Sequence, residues 1–171
     1  MIKEAIRHGL FETNSSSVHS LVYVVNDDAP QPIPKFDSEY GKLVHIIHGG
    51  SYQCSGCLVT SEEKLNYLIG WLFVKKGYDL GDFLEDDDYK NIEKWVCERT
   101  GADGFKTKLV HEHSDEYEKM SEREQQRYGI SFDHQSNPFI HDEDFLVDYR
   151  DKHEVLKFIF DENVAVEMSF D

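Results

Sequence analysis

The chain lacks long hydrophobic runs and contains few prolines, cysteines and basic residues. No segment approaches the roughly 18 consecutive apolar residues of a membrane-spanning helix. The opening Met-Ile-Lys-Glu-Ala-Ile-Arg has no apolar run of the signal-peptide type. There are only three cysteines, which cannot all pair with one another. These absences predict a cytoplasmic protein without a membrane partner, whose thiols are reduced and free to bind metal.

The composition is that of a folded globule. The 171 residues are 39% hydrophobic and 13% aromatic, which is enough apolar surface to form a core. No internal repeat is present, and nothing divides the chain into two convincing domains. We therefore expect a single compact α+β domain over residues 1–171, with a central, mostly antiparallel sheet flanked by three to five helices.

Local patterns place the elements of this domain. Thr60-Ser-Glu-Glu63 is a capping box before a helix with apolar positions at helical spacing, and Gly77 is suited to end it. Further helices are predicted over 88–100, 114–127 and 152–160. Runs rich in β-branched and aromatic residues predict strands over 20–25, 43–47, 106–110, 130–132 and 163–168.

Acidic residues greatly outnumber basic ones. The chain has 34 Asp and Glu against 18 Lys and Arg, a formal net charge of −16. This charge argues against direct nucleic-acid binding, because phosphates would be repelled. It fits either simple solubility or attraction to a basic partner protein. One acidic cluster contains no base, and its members are the predicted partner-binding residues: Asp79, Asp82, Glu85, Asp86, Asp87 and Asp88.

Two further features bear on partner binding. A second region rich in acids covers residues 142–171. Aromatic residues stand beside the first cluster, and Tyr78, Phe83 and Tyr89 are candidate anchors within the acidic field.

Four potential metal ligands fall within thirteen residues, in the order His-x2-His-x5-Cys-x2-Cys. Cys54 and Cys57 are spaced as in a zinc knuckle, and a loop at 45–60 would hold them. Structural Zn2+ needs four ligands, so we predict that His48 and Cys97 complete the site, with His45 as the substitute for either. Unmetallated surface thiols and a redox Cys-x2-Cys pair are the alternatives.

The polar run before the first predicted strand suggests a different chemistry. Ser15 and its neighbours lie close in sequence to His19, and Asp133-His134 occurs far downstream. A hydroxyl nucleophile with a histidine base would make the protein a small hydrolase or transferase. The simpler interpretation is a capped turn, because no Gly-x-Ser-x-Gly elbow is present. His111-Glu-His113 is likewise either a metal pair or a solvated patch.

The N-terminal motif also carries a resemblance. Arg7-x-Gly-x-Phe-Glu-Thr-Asn-Ser-Ser-Ser-x-His-Ser20 resembles the start of a family of small, mostly uncharacterised proteins from bacteriophages and mobile elements of Firmicutes. Asp133-His-Gln-Ser136 and Phe158-Ile-Phe-Asp-Glu-Asn-Val164 are similar to later stretches of these proteins. The family motifs carry no established catalytic assignment, so no role passes to Ser15 or His19.

The resemblance implies a phage protein that acts in the host cytosol. Small acidic phage proteins include inhibitors of host defence, among them anti-CRISPR proteins. Together with the negative charge and the cysteine pair, the resemblance implies a zinc-containing inhibitor of a Cas9-type nuclease. Such effectors hold nucleic acid in basic channels, which an acidic protein can occupy. We therefore expect a binding protein and no enzymatic activity, with the small hydrolase or transferase as the alternative.

Overall fold

The protein is represented by a computed structural model that describes residues 5–8, 17–24, 38–48, 56–77, 79–110, 114–121 and 147–170. Five helices lie in these ranges: α1 Ser61–Lys76, α2 Leu80–Glu85, α3 Asp87–Thr100, α4 Asp115–Glu118 and α5 Lys152–Phe160. Seven strands accompany them: β1 Ala5–His8, β2 Ser17–Val24, β3 Ser38–Glu39, β4 Lys42–His48, β5 Gly56–Leu58, β6 Gly104–Val110 and β7 Val164–Phe170.

The strands form two sheets among the described residues. One has four antiparallel strands in the order β1-β2-β7-β5. The other has the order β3-β4-β6, with β3 and β4 joined as an antiparallel hairpin. The β4–β6 pair is parallel, because α1 to α3 form the crossover between these strands. The predicted α+β class is therefore confirmed, with two sheets where a central one was expected.

Helix α1 is the centre of the core. Leu65, Leu68, Ile69 and Leu72 are fully buried, as the sequence pattern predicts. The helix packs against β4 and α5, while α3 packs against β6 and α5. A helix enclosed on nearly all sides needs apolar residues around most of its circumference, and α1 has them.

The ends of the helices follow the sequence signals closely. The Thr60 hydroxyl accepts from the backbone N–H of Glu63, and the Glu63 carboxylate accepts in return from the backbone N–H of Thr60. Gly77 ends α1 and Gly101 ends α3, both with positive φ. Helix α5 has the predicted bounds of 152–160.

The structure also contains elements that the sequence patterns did not indicate. Strand β1, the β3–β4 hairpin, strand β5 within the predicted loop 45–60 and the short helix α2 are new. Of the predicted helix 114–127, only α4 lies in the described residues. The predicted strand 130–132 lies outside them. No helix in the described ranges is long and apolar enough to cross a membrane.

Candidate functional site

The candidate site is the acidic junction, which we define as the six acidic residues between Asp79 and Asp88 where α2 meets α3. Asp79 is the N-cap of α2, and its carboxylate accepts from the backbone N–H of Asp82 at 3.0 Å. Asp86 is both the C-cap of α2 and the N-cap of α3. Its Oδ1 accepts from the backbone N–H groups of Asp88 and Tyr89, at 2.9 and 3.3 Å. Two of the six carboxylates therefore define helix starts.

Lys76, at the end of α1, neutralises the inner part of the junction. Its Nζ lies 3.0 Å from Asp86 Oδ2 and 2.7 Å from Asp88 Oδ2, and all three side chains are largely shielded from solvent. Burial raises the pKa of Asp86, but the hydrogen bonds from Lys76 and the backbone outweigh it and hold that pKa below its usual range. Burial alone would lower the pKa of Lys76. The hydrogen bonds to Asp88 and Asp86 outweigh burial, so the pKa of Lys76 is raised above its usual value. This trio ties α1 to the α2–α3 corner.

The outer part of the junction faces solvent. Asp79, Asp82, Glu85 and Asp87 are exposed. Glu85 forms an exposed ion pair with Lys90 at 2.6 Å, and the hydrogen bond from Lys90 lowers the pKa of Glu85. An exposed pair of this kind contributes little to stability. The side chains of Asp82 and Asp87 have no capping role, so they are the members of the cluster that the fold uses least.

The cations of the junction lie outside the acidic stretch of sequence. No base occurs between Asp79 and Asp88, whereas Lys76 and Lys90 lie just outside that interval and bind its carboxylates. The capping role of Asp86 had a readable signal, because an Asp before a helical pattern is a preferred N-cap. The partner Lys76 had none, since its contact depends on how α1 packs against the α2–α3 corner.

Two of the proposed aromatic anchors are corrected by the structure. Phe83 is fully buried and Tyr89 is 3% exposed, so neither can contact a partner. The two rings pack against each other with centroids 4.9 Å apart, and the Tyr89 hydroxyl bonds to Thr107 Oγ1 at 2.8 Å. They fasten α2 and α3 to the core and to β6, because large rings release the most free energy when buried. Tyr78 lies outside the described residues.

The second acidic region is also partly used by the fold. Asp151 caps α5 by accepting from the backbone N–H of Glu154 at 3.0 Å. Asp148 accepts from the backbone N–H of Arg150, and Asp161 from that of Asn163. Acids 142 to 146 lie outside the described residues. Asp148, Asp151 and Asp161 therefore stabilise turns and a helix start.

The predicted metal ligands fall in separate elements. His45 and His48 lie on β4, Cys57 lies on β5, and Cys54 lies outside the described residues. Cys97 lies on α3 as a half-buried free thiol. Burial, aided by the carboxylates of Glu93 and Asp103, raises the pKa of the Cys97 thiol to about 11. Its surroundings therefore disfavour a thiolate in the absence of a cation.

The described backbone does not bring Cys97 and His48 together. Cys97 lies beside the start of β6. Its carbonyl accepts from the backbone N–H of Gly101, at the end of α3. One helical turn before Cys97, the Glu93 carboxylate accepts from the backbone N–H of Phe105, near the start of β6. His48 pairs with Val110 at the other end of β6. Five steps along the strand lead from Phe105 to Val110, a distance of about 17 Å. Two ligands of one Zn2+ have donor atoms only about 4 Å apart.

No ready-made metal centre occurs elsewhere in the described part of the chain. Across those residues, no group of three or more His, Cys, Asp or Glu side chains is arranged to hold a metal ion. Residues 9–16 of the N-terminal motif and the Asp133-His134 pair lie outside the described ranges, and His19 lies on β2 opposite Met168. The hydrolase or transferase hypothesis therefore stays a prediction.

Comparison with known proteins adds no relative. No protein-family model matches this chain, and neither a curated protein nor a solved structure matches it at a significant level. Function must therefore be argued from the chain's own residues.

Proposed function

We propose that this protein is an inhibitory binding protein that places its exposed carboxylates on a basic, nucleic-acid-handling surface of a host defence nuclease of the Cas9 type. The observation that carries the proposal is the division of the acidic junction. Asp86, Asp88 and Lys76 brace the corner, while Asp82 and Asp87 project from it without a capping role. Charges on a braced corner lose little conformational freedom on binding.

The net charge of −16 supports the same proposal. A strongly negative protein is attracted to the positive channel in which such a nuclease holds its heteroduplex. Complementary charge accelerates association and excludes acidic partners more than it adds to affinity. The choice of a Cas9-type target rests on the resemblance to phage proteins, and the choice of a basic surface rests on the charge.

The function is tested by order of addition. Purified protein incubated with a Cas9-type nuclease before guide RNA or target DNA should abolish DNA cleavage. The same amount added after the DNA-bound complex has formed should inhibit far less, because the channel is then occupied. Equal inhibition in both orders would place the contact outside that channel. No binding to the nuclease at any stage would sink the proposal.

We also propose a structural Zn2+ site that contains Cys54, Cys57 and His48. The Cys-x2-Cys spacing and reduced thiols support it. Cys97, which was the fourth predicted ligand, lies too far along β6 from His48 to share the ion with it. Side chains alternate between the two faces of a strand, so His45, three residues before His48 on β4, is a substitute for His48 and not a fourth ligand beside it. The fourth ligand is left unassigned. Such a site would stabilise the segment between β4 and β5 and would not activate water.

Elemental analysis of two cysteine variants tests the zinc proposal. We expect about one zinc per chain in the wild type, loss of the metal and a lower melting temperature in Cys54→Ser, and full retention in the control Cys97→Ser. A wild-type protein that contains no metal, and whose melting temperature is unchanged by a chelator, would contradict the zinc proposal. Loss of zinc in Cys97→Ser would restore Cys97 to the ligand set.

A further inference from the structure

The hairpin between β3 and β4 has an unusual turn. Glu39 pairs with Lys42, which leaves Tyr40 and Gly41 as a two-residue connection. Their φ angles are 52° and 77°, and a type I′ turn requires positive values at both positions. Asn-Gly is the preferred sequence there, because Asn tolerates positive φ better than a bulky aromatic residue. The turn itself therefore does not account for a tyrosine.

Burial does not account for Tyr40 either. The residue is 92% exposed, far more than Val59 and Val74, which are the next most exposed large apolar residues described. Tyrosine is enriched among the residues that dominate binding energy, because its ring buries much area at small entropic cost. The Tyr40 ring is open to solvent, and the residue holds a backbone conformation that is unfavourable for tyrosine. A residue kept under these conditions is suited to contact another molecule.

The base of the turn is held firmly. The backbone N–H of Asp103 donates to the Gly41 carbonyl at 2.9 Å, and Lys106 pairs with Glu39 at 2.5 Å. A Cβ on Gly41 would collide with the Asp103 carboxylate, so the two segments are in close contact. Tyr40 is thus presented on a braced tip, which reduces the entropy lost on binding.

We propose that Tyr40 is an anchor for an arginine of a basic partner protein, with the guanidinium stacked on the ring and paired with the Asp103 carboxylate. Arginine fits because its planar cation stacks on aromatic faces and binds carboxylates bidentately. Lys42 is also exposed beside the tip and would repel the guanidinium. The attraction therefore has to come from the Tyr40 ring and the Asp103 carboxylate. The net charge of −16 favours a basic partner.

This anchor is distinct from the acidic junction. The junction lies at the start of α3. The hairpin tip contacts Asp103, which lies just beyond the end of α3. Fourteen helical residues separate these ends by about 20 Å. The anchor goes beyond the proposed function, since it applies to any partner that offers an arginine and does not depend on the nuclease.

The probe is a short arginine homopolymer, with a lysine homopolymer of equal length for comparison. Binding is measured by calorimetry and by nuclear magnetic resonance of the labelled protein. Tyr40→Asn keeps a favourable turn and removes the ring, while Tyr40→Phe keeps the ring. Val74→Asn is the control, because it makes the same kind of change at another exposed apolar residue.

We expect the arginine polymer to shift the Tyr40, Gly41 and Asp103 resonances. Tyr40→Asn should weaken arginine-polymer binding about two- to fivefold, as expected for an exposed cation–π contact, and change lysine-polymer binding less. Tyr40→Phe and Val74→Asn should bind like the wild type. Unmoved tip resonances, or a Tyr40→Asn variant with wild-type affinity for the arginine polymer, would overturn the proposal.

Discussion

Lys64 is a charged residue that the fold encloses almost completely. It is 1% exposed, and its Nζ donates to the carbonyl oxygens of Asp161 at 2.6 Å and Val164 at 2.9 Å. Asp161 follows the last residue of α5 and Val164 is the first residue of β7, so the side chain ties the passage between these elements to α1. Burial lowers the pKa of Lys64 to about 8, although Asp161 and Glu63 oppose the shift.

The lowered pKa predicts a rise in stability at alkaline pH. Between the folded pKa of about 8 and the ordinary 10.5, the unfolded chain binds more protons at this site, so the free energy of unfolding increases with pH. The cost of burying the charge is fully present below pH 8. From pH 7 to 9 we expect a gain of about 1 kcal/mol that is absent in Lys64→Met.

Urea denaturation of both proteins at several pH values measures this difference. Cys97 acts in the opposite direction above pH 9, because its pKa is raised, but it is present in both proteins and cancels. Parallel stability curves for wild type and Lys64→Met would show that Lys64 has an ordinary pKa.

Tyr40 predicts a substitution that gains stability. Asn tolerates the left-handed region better than Tyr, and no buried contact is lost at a side chain that is 92% exposed. Tyr40→Asn should therefore raise the free energy of unfolding by about 0.5–1 kcal/mol. A higher urea midpoint at unchanged slope would support this. A lower midpoint would mean that the ring contributes to folding.

At the scale of elements, the acidic junction combines two kinds of acid. Asp86 caps α3 and pairs with Lys76, so its carboxylate belongs to the architecture. Asp87, its neighbour, is exposed in the first turn, where it interacts weakly with the helix dipole and with the charge of exposed Lys90. The sequence alone does not distinguish the two, because adjacent aspartates look identical until the cap geometry is known.

This division predicts unequal effects of two adjacent alanines. Asp86→Ala removes a helix cap and a partner of Lys76, and should cost about 1–2 kcal/mol of stability. Asp87→Ala should change it by less than about 0.5 kcal/mol. Thermal and urea unfolding would measure both. Equal losses would contradict the assignment of Asp86 as the structural member.

Elements with strong local signals were predictable from the sequence. Thr60 and Glu63 form the reciprocal cap that their spacing indicates, and Gly77 and Gly101 end the two long helices. Strand β2 extends three residues before its predicted start and β6 two. Boundaries of this kind depend on register with a neighbouring strand, which local patterns do not contain.

Elements that depend on tertiary context were not predictable. Helix α2 has six residues, too few to show helical periodicity, and Phe83 is its only buried residue among those described. The β3–β4 turn has Tyr-Gly where Asn-Gly would have signalled a hairpin. Phe83 and Tyr89 were interpreted as surface anchors because they stand among acids, yet a helix buries one face whatever the charge on the other.

At the scale of the whole molecule, the net charge of −16 would govern how the protein meets the basic partner that we propose. Long-range attraction accelerates association, and salt screens it over a Debye length of about 8 Å at physiological ionic strength. Raising the salt should therefore slow association with the nuclease and leave dissociation nearly unchanged. Surface plasmon resonance at several salt concentrations measures both rates. An effect confined to dissociation would point to short-range contacts instead.

The central claim is that the exposed carboxylates of the acidic junction bind the basic partner. Its most direct test compares two triple variants by calorimetric titration against the same Cas9-type nuclease. One is Asp82→Asn, Glu85→Gln and Asp87→Asn, which leaves Asp86, Asp88 and Lys76 in place. The control is Asp115→Asn, Glu116→Gln and Glu118→Gln, which neutralises as many exposed acids on α4.

Both variants lose the same negative charge, so a difference between them reports position and not net charge. We predict that the junction variant binds roughly tenfold more weakly than the wild type, while the α4 variant stays within about twofold. Circular dichroism should be unchanged in both. Equal affinities for the two variants would contradict the claim that the acidic junction is the binding surface.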